Sequence, residues 1–305
     1  MKTCLLRIAC VVLIPIIVSL SGCKKIPNHS AIIITTTPFL ADAVNQIAYP
    51  HLQAVPLIKH GLDPHQYMAT PGDVRKLMSA KGVICHGLHL EAKMGDIIGK
   101  LPNNPFIVGK HVPPDLLLVS PDTGGLPDPH IWFSPKIWGV VLRLITNYLK
   151  EIDPSHASTF ETNLNQYLLQ LAMVDKNNQK KIATIPTQNR ILVTSHDAFQ
   201  YFGRYYGFRV IGLQGTSTLS EPNSRDIDQL ATLIMKHGIK AIFIESSVPA
   251  RNLEAVQAAV RAKGGWVKIG HALYSDSTGP PNTPEGTYLG VLQANVGRIV
   301  NGLGI

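Results

Sequence analysis

Short apolar runs alternate along the chain with stretches in which apolar residues recur every three or four positions. Ala31-Ile32-Ile33-Ile34-Thr35, Gly82-Val83-Ile84-Cys85 and Ala241-Ile242-Phe243-Ile244 are runs of the first kind. They are too short for helices and rich in β-branched side chains, so they read as buried strands. Residues 52–58, 106–108, 191–194 and 266–269 add further strands. Helices are predicted over residues 38–47, around 90–98, and over 197–206, 227–237 and 253–262. Another opens at Thr70-Pro71-Gly72-Asp73, with a threonine N-cap, proline at the first helical position and an acid in the first turn. Gly207 and Gly238 stand where helices should end. Thr283-Pro284 starts a terminal helix carrying Tyr288, Leu289, Leu292, Val296 and Ile299.

Alternating strands and helices are the pattern of parallel α/β sheets. One stretch breaks the alternation. From Asp153-Pro154 to about Thr184 the chain is mostly polar, with Phe160, Leu164, Tyr167, Leu168 and Leu171 on one helical face. The predicted fold class is therefore α/β: two lobes with parallel-type sheets, residues 31–153 and 185–305, joined by a long backbone helix over 154–184. Such a helix is a stiff connector, unlike a Gly/Ser linker.

The N-terminus has a different character. Lys2 and Arg7 precede an apolar stretch from Ile8 to Leu20, followed by Leu20-Ser21-Gly22-Cys23. The stretch is short for a membrane span, which needs ~20 residues, and fits a signal-peptide core. Small residues before a cysteine resemble a bacterial lipobox, which makes residues 1–22 a signal peptide, Cys23 the lipidated first residue and 23–30 a tether. The expected location is exported, on the periplasmic or extracytoplasmic face, anchored to a membrane through Cys23. Cys4 and Cys10 would leave with the signal, so Cys85 remains without a disulfide partner and reads as a small core residue. Removing Lys2 and Arg7 from the formal +8 leaves +6. The basic residues are scattered and no nucleic-acid-binding pattern accompanies them, so no nucleic-acid partner is expected.

Three histidines stand at or soon after the ends of apolar runs: His65 in Asp63-Pro64-His65, His130 in Asp128-Pro129-His130, and His196 in Ser195-His196-Asp197. Asp276 follows the strand over 266–269. Ligands of open α/β sheets bind outside the carboxyl ends of the strands, so these four side chains are placed to meet between the lobes. Three imidazoles and a carboxylate suit Zn²⁺, Mn²⁺ or Fe²⁺. Taken singly, each histidine is more simply a surface or hydrogen-bonded residue, and Asp-Pro is a common turn element. Glu245 ends a strand and His86 and His89 flank another; Glu245, His86 and His89 are expected behind the ligands rather than among them.

The segments Asp63-Pro64-His65-Gln66-Tyr67, Gly87-Leu88-His89-Leu90-Glu91, Asp128-Pro129-His130-Ile131-Trp132-Phe133, Thr194-Ser195-His196-Asp197-Ala198-Phe199, Phe243-Ile244-Glu245-Ser246 and Tyr274-Ser275-Asp276 resemble, in order, the cluster A-I metal-binding receptors of ABC importers. Gly212-Leu213-Gln214-Gly215 and Gly286-Thr287-Tyr288 are closest to that family's TroA branch. The resemblance implies two α/β lobes on a backbone helix and one divalent transition metal as cargo, held by His65, His130, His196 and Asp276. It also implies a monomer that serves an importer permease and its ATPase and is not an enzyme. Manganese-selective relatives often carry Glu where His196 stands, which leans toward zinc or a broader specificity. The His/Asp/Glu-rich loop of many zinc receptors is missing between His111 and His130.

Four protein ligands leave no position for a catalytic water, which argues for capture without chemistry. The expected motion is a small tilt of the second lobe onto a metal first held by His65 and His130. Two alternatives are a metal-binding surface adhesin on the same fold and a metallohydrolase. The latter would need an open coordination position and a base, and no H-E-x-x-H or G-x-S-x-G motif occurs.

Overall fold

The computed structural model describes residues 32–102, 104–120 and 124–304. The segments expected to be a signal peptide and a tether, with Cys23, lie outside the described residues. The first lobe holds β1 (Ile32–Thr35), α1 (Pro38–Ala48), β2 (Gln53–Pro56), α2 (Pro71–Ser79), β3 (Gly82–Cys85), α3 (Gly95–Gly99), β4 (Phe106–Ile107) and α4 (Pro135–Ile152). A single helix, α5 (Ala157–Ile182), leads to the second lobe. That lobe contains β5 (Ile191–His196), α6 (Gln200–Tyr206), β6 (Arg209–Gln214), α7 (Ser224–His237), β7 (Ala241–Glu245), α8 (Arg251–Ala262), β8 (Lys268–Leu273) and α9 (Tyr288–Leu303).

Both sheets are parallel and share one topology, in the orders β2-β1-β3-β4 and β6-β5-β7-β8. In each, the chain starts at an inner strand, pairs one neighbour, then crosses to the other side. That reversal opens a crevice at the carboxyl ends of β1 and β3 in one lobe and of β5 and β7 in the other. β1, β3 and β5 read as near-continuous apolar runs because they are covered on both faces.

Local signals place the helices. Thr70 caps α2 in a reciprocal box: its hydroxyl accepts from the Asp73 backbone N–H, and the Asp73 carboxylate accepts from the Thr70 N–H. Gly207 and Gly238 end α6 and α7 in the left-handed conformation. Several boundaries differ from the pattern, and four of the differences bear on the loops and helix starts. The helix expected around 90–98 is a 3-10 turn, Ala92–Met94, followed by the five-residue α3. α6 starts at Gln200 rather than Asp197, because β5 runs on to His196. The last strand occupies Lys268–Leu273 instead of 266–269. Thr283-Pro284 leads into a 3-10 turn, and Thr287 is the residue that caps α9. Two elements were not outlined by the pattern at all. They are α4, whose apolar run Trp138-Gly139-Val140-Val141-Leu142 hides its period, and β6, the outer strand of its sheet.

The backbone helix is more than a strut. α5 has 26 residues, about 39 Å at 1.5 Å per residue. It buries Phe160, Leu164, Tyr167, Leu171, Val174 and Ile182. These belong to one apolar core that takes in α1, α4 and α9 and reaches Leu192, Phe199 and Phe243 of the second lobe. Asp42 of α1 pins the junction: its Oδ2 accepts from the Tyr167 hydroxyl at 2.8 Å and the Tyr288 backbone N–H at 3.0 Å. A wide hinge would have to break this shared core, so the packing favours small relative movements of the lobes.

Candidate metal centre

The two Asp-Pro-His segments fold the same way. Asp63 Oδ1 accepts the backbone N–H of His65 at 2.8 Å, and Asp128 Oδ1 accepts that of His130 at 2.9 Å. These are Asx turns, in which a carboxylate two residues upstream fixes the histidine's backbone. Asp128 also lies 2.7 Å from His130 Nδ1. Neighbours hold the rest of this loop. Tyr201 donates to Asp128 O at 2.9 Å, His86 Nε2 lies 2.7 Å from Pro129 O, and Tyr288 donates to Trp132 O at 2.9 Å. Trp132 Nε1 reaches across to Ser275 O at 2.9 Å, tying the first lobe to the segment that carries Asp276.

His196 is the last residue of β5, and Glu245 the last of β7. Glu245 Oε1 accepts the His196 backbone N–H at 2.8 Å, while Oε2 lies 2.5 Å from His196 Nδ1. The neighbouring β6 approaches so closely that a Cβ at Gly212 would sit 2.5 Å from Asp197 N and 2.6 Å from Gln214 O. Only glycine fits there.

The four residues expected to meet do so. His65, His130, His196 and Asp276 each present an atom within 4.8 Å of the others. His130 Nε2 is 3.4 Å from His65 Nε2, 3.3 Å from His196 Nε2 and 3.3 Å from Asp276 Oδ1; His196 Nε2 is 3.3 Å from Asp276 Oδ2. A tetrahedron with metal–nitrogen bonds of about 2.0–2.1 Å has edges of about 3.3–3.4 Å. With a single Asp276 oxygen as the fourth corner, three of the six edges match that value, and the remaining edges are within 4.8 Å. His130, His196 and Asp276 are fully buried, and His65 is 3 % exposed.

Hydrogen bonding explains why these atoms converge. With Asp128 and Glu245 taking the Nδ1 protons, neutral His130 and His196 turn Nε2 lone pairs inward. Asp276 Oδ1, though buried, accepts no well-directed hydrogen bond. Lone pairs gathered around an unsatisfied carboxylate oxygen are a cradle for a cation. Protons are the alternative occupants. For His130, burial disfavours the cation but Asp128 and Asp276 outweigh it, raising the pKa to about 9. His196 is raised well above 6.5 because Asp276 and Glu245 overcome the same burial. Asp276 is held well below the carboxylate range, with burial outweighed by His196 and His130. Burial pushes His65 down to about 3, despite the pull of Asp276.

Glu245 and His86 pack behind the four converging side chains, on His196 and on the His130 loop respectively. His89 is exposed, on a turn with positive φ at Gly87, Leu88 and His89, and lines a small cavity together with His65. The role of Asp128 behind His130 was not anticipated, although the repeated Asp-Pro-His carried its signal. His60 links the lobes through Nδ1 to Thr278 Oγ1 at 2.7 Å. Cys85 is a buried free thiol. No helix among the described residues is long and apolar enough to cross a membrane.

The chain as a whole is similar to known metal-binding proteins. Residues 33–302 match the family described as ZnuA, zinc-uptake complex component A, periplasmic. The manganese-binding lipoprotein MntA of Bacillus subtilis is 40% identical over 292 residues, covering 93% of this chain and 95% of that protein. The zinc-binding protein TroA of Treponema pallidum is 40% identical over 274 residues, covering 89% and 88%. The solved structure of that periplasmic zinc-binding protein superposes with a TM-score of 0.87 at 39% identity, covering 90% of this chain and 99% of the other. An Fe(III)-bound YtgA from Chlamydia trachomatis superposes at 0.81 with 26% identity, covering 90% and 98%.

Proposed function

The chain belongs to the ZnuA family of metal-binding transport receptors, which is not an enzyme family, and from that premise we propose that it captures one divalent transition metal between its lobes and delivers it to an ABC importer. His65, His130, His196 and Asp276 are the ligands in this reading. The observation that carries it is the set of 3.3–3.4 Å spacings around His130, which fit one tetrahedral ion. Four protein donors fill the coordination shell, so neither a catalytic water nor a substrate carbonyl has an open position. That favours capture over hydrolysis. The donor set suits Zn²⁺, Mn²⁺ or Fe²⁺, and relatives are named for zinc, manganese and iron.

Delivery follows from the division of ligands. His65 and His130 come from the first lobe, His196 and Asp276 from the second. A small tilt of the second lobe removes two donors at once and leaves two imidazoles, which hold a metal far less tightly. The importer's permease would stabilise that open form, and its ATPase would drive the cycle. The receptor works as a monomer, tethered to the extracytoplasmic face by acyl chains on Cys23, a reading supported by the lipoprotein names of several relatives.

Calorimetric titration of chelator-stripped protein lacking residues 1–23, with Zn²⁺, Mn²⁺ and anaerobic Fe²⁺, tests the reading. One tight site that His65→Ala and Asp276→Ala both weaken is the expected result. Absence of a tight site, or indifference to both substitutions, would overturn it.

A further inference from the structure

We propose that His89 is a transient capture ligand at the mouth of a port through which the metal reaches and leaves His65. The inference rests on the metal-receptor reading above. His65 and His89 line one small cavity, together with Leu126, Pro127, Thr216 and Ser217. Its volume of about 40 Å³ holds a water molecule or an ion that has shed part of its hydration shell. His89 is exposed at the outer end, whereas His65 is 3 % exposed at the inner one. The other three inward-facing residues are fully buried, so the cavity reaches the centre through His65.

The chemistry along this path is graded. An imidazole stands outside, Ser217 lies on the second-lobe wall, and a second imidazole waits inside. Nitrogen and oxygen donors of this kind can replace a hydrated ion's waters one at a time. Leu126 and Pro127 offer the ion nothing, which leaves His89 as the side chain that can pass it inward.

The backbone fixes His89 at this position. Leu88 and His89 both have positive φ, 54° and 64°, a conformation uncommon outside glycine. It is held from below. Glu91 accepts the backbone N–H groups of His86 at 2.8 Å and Gly87 at 3.0 Å, and Leu88 packs so tightly on Gly109 that a Cβ there would lie 2.5 Å from Leu88 Cγ. Other contacts close the cleft around the loops of His65 and Asp276. The Gly61 N–H donates to Ser277 Oγ at 2.8 Å, and Thr218 Oγ1 donates to Asp63 Oδ2 at 2.6 Å. A port beside His89 lets the metal exchange with solvent while these lobe-to-lobe bonds stay made, separately from the importer-stabilised tilt that delivers it.

The test is stopped-flow binding of Zn²⁺ to the mature protein. It is followed by the fluorescence of Trp132, whose ring lies 5.2 Å from that of His130. Dissociation is measured with excess chelator, and Kd independently by competition. His89→Asn removes the imidazole with a residue that tolerates positive φ. Ser217→Trp fills the cavity from the opposite wall and leaves His89 in place. A port lowers the barrier equally in both directions, so each variant should slow association and dissociation together and by the same factor, with Kd unchanged. Wild-type rates in either variant would overturn the port, and so would a weakened Kd with unchanged association. In both of those cases tight binding by the wild type leaves the receptor reading standing, whereas no Zn²⁺ binding by the wild type would overturn both.

Discussion

Glu245 grips His196 at two points, with Oε1 on its backbone N–H at 2.8 Å and Oε2 2.5 Å from Nδ1. One carboxylate thereby sets the position of the strand end and the tautomer of the imidazole. Glu245→Gln keeps the shape but can no longer accept at both atoms, and metal affinity should fall by about 10–100-fold, the usual cost of losing a histidine's supporting carboxylate. Chelator-competition titration measures this. Unchanged affinity would mean that His196 is oriented by packing alone.

The pH dependence has a defined sign. In the metal-free protein His130 titrates near 9 against an ordinary 6.5, with burial outweighed by Asp128 and Asp276. A raised folded pKa means the stability it confers is fully present below about 6.5 and is lost as pH rises through about 9. Bound metal replaces that proton and is not subject to the same loss. The rise in melting temperature caused by saturating Zn²⁺ should therefore grow between pH 6.5 and pH 9. Calorimetric scans with and without metal check it, and a constant or shrinking difference would contradict the charge assignment.

Much of this centre was legible in the sequence. His65, His130, His196 and Asp276 stand where strand-ending loops must put them, and the ordered motifs named the same four. Asp128 was equally visible, two residues before His130 as Asp63 is before His65, but nothing in the pattern says that only Asp128 reaches its histidine's ring. The hidden parts depend on tertiary contacts. The left-handed turn at Leu88-His89 contains no glycine at those positions to announce it, and it sets the exposed His89 beside His65 on one small cavity. The period of α4 disappears into its apolar run because the helix is largely buried in the core shared by both lobes.

Gly212 marks where β6 passes the residue after His196. Gly212→Ala puts a methyl 2.5 Å from Asp197 N and 2.6 Å from Gln214 O, both backbone atoms. Overpacking of this kind destabilises by about 1–3 kcal/mol. Because the displaced strand carries His196, metal affinity should fall as well. Urea unfolding and titration of the same variant measure the two effects; a stable variant with wild-type affinity would show that the sheet yields at no cost.

Trp132 connects the lobes by donating Nε1–H to Ser275 O. Trp132→Phe leaves that buried carbonyl without its donor, at a cost of about 1–3 kcal/mol. Since Ser275 precedes Asp276, the expected consequence is faster metal dissociation with little change in association. Stopped-flow absorbance of Co²⁺ release by a chelator reads this without the lost fluorophore, and an unaltered off-rate would remove Trp132 from the closed state's support.

The central claim is one ion held by four named side chains, and anomalous diffraction from crystals of the Zn²⁺-loaded protein tests it most directly. The account predicts a single strong peak between the lobes, about 2.0–2.2 Å from the Nε2 atoms of His65, His130 and His196 and from a carboxylate oxygen of Asp276. A peak elsewhere, or one at this centre in which water replaces any of the four, would contradict it.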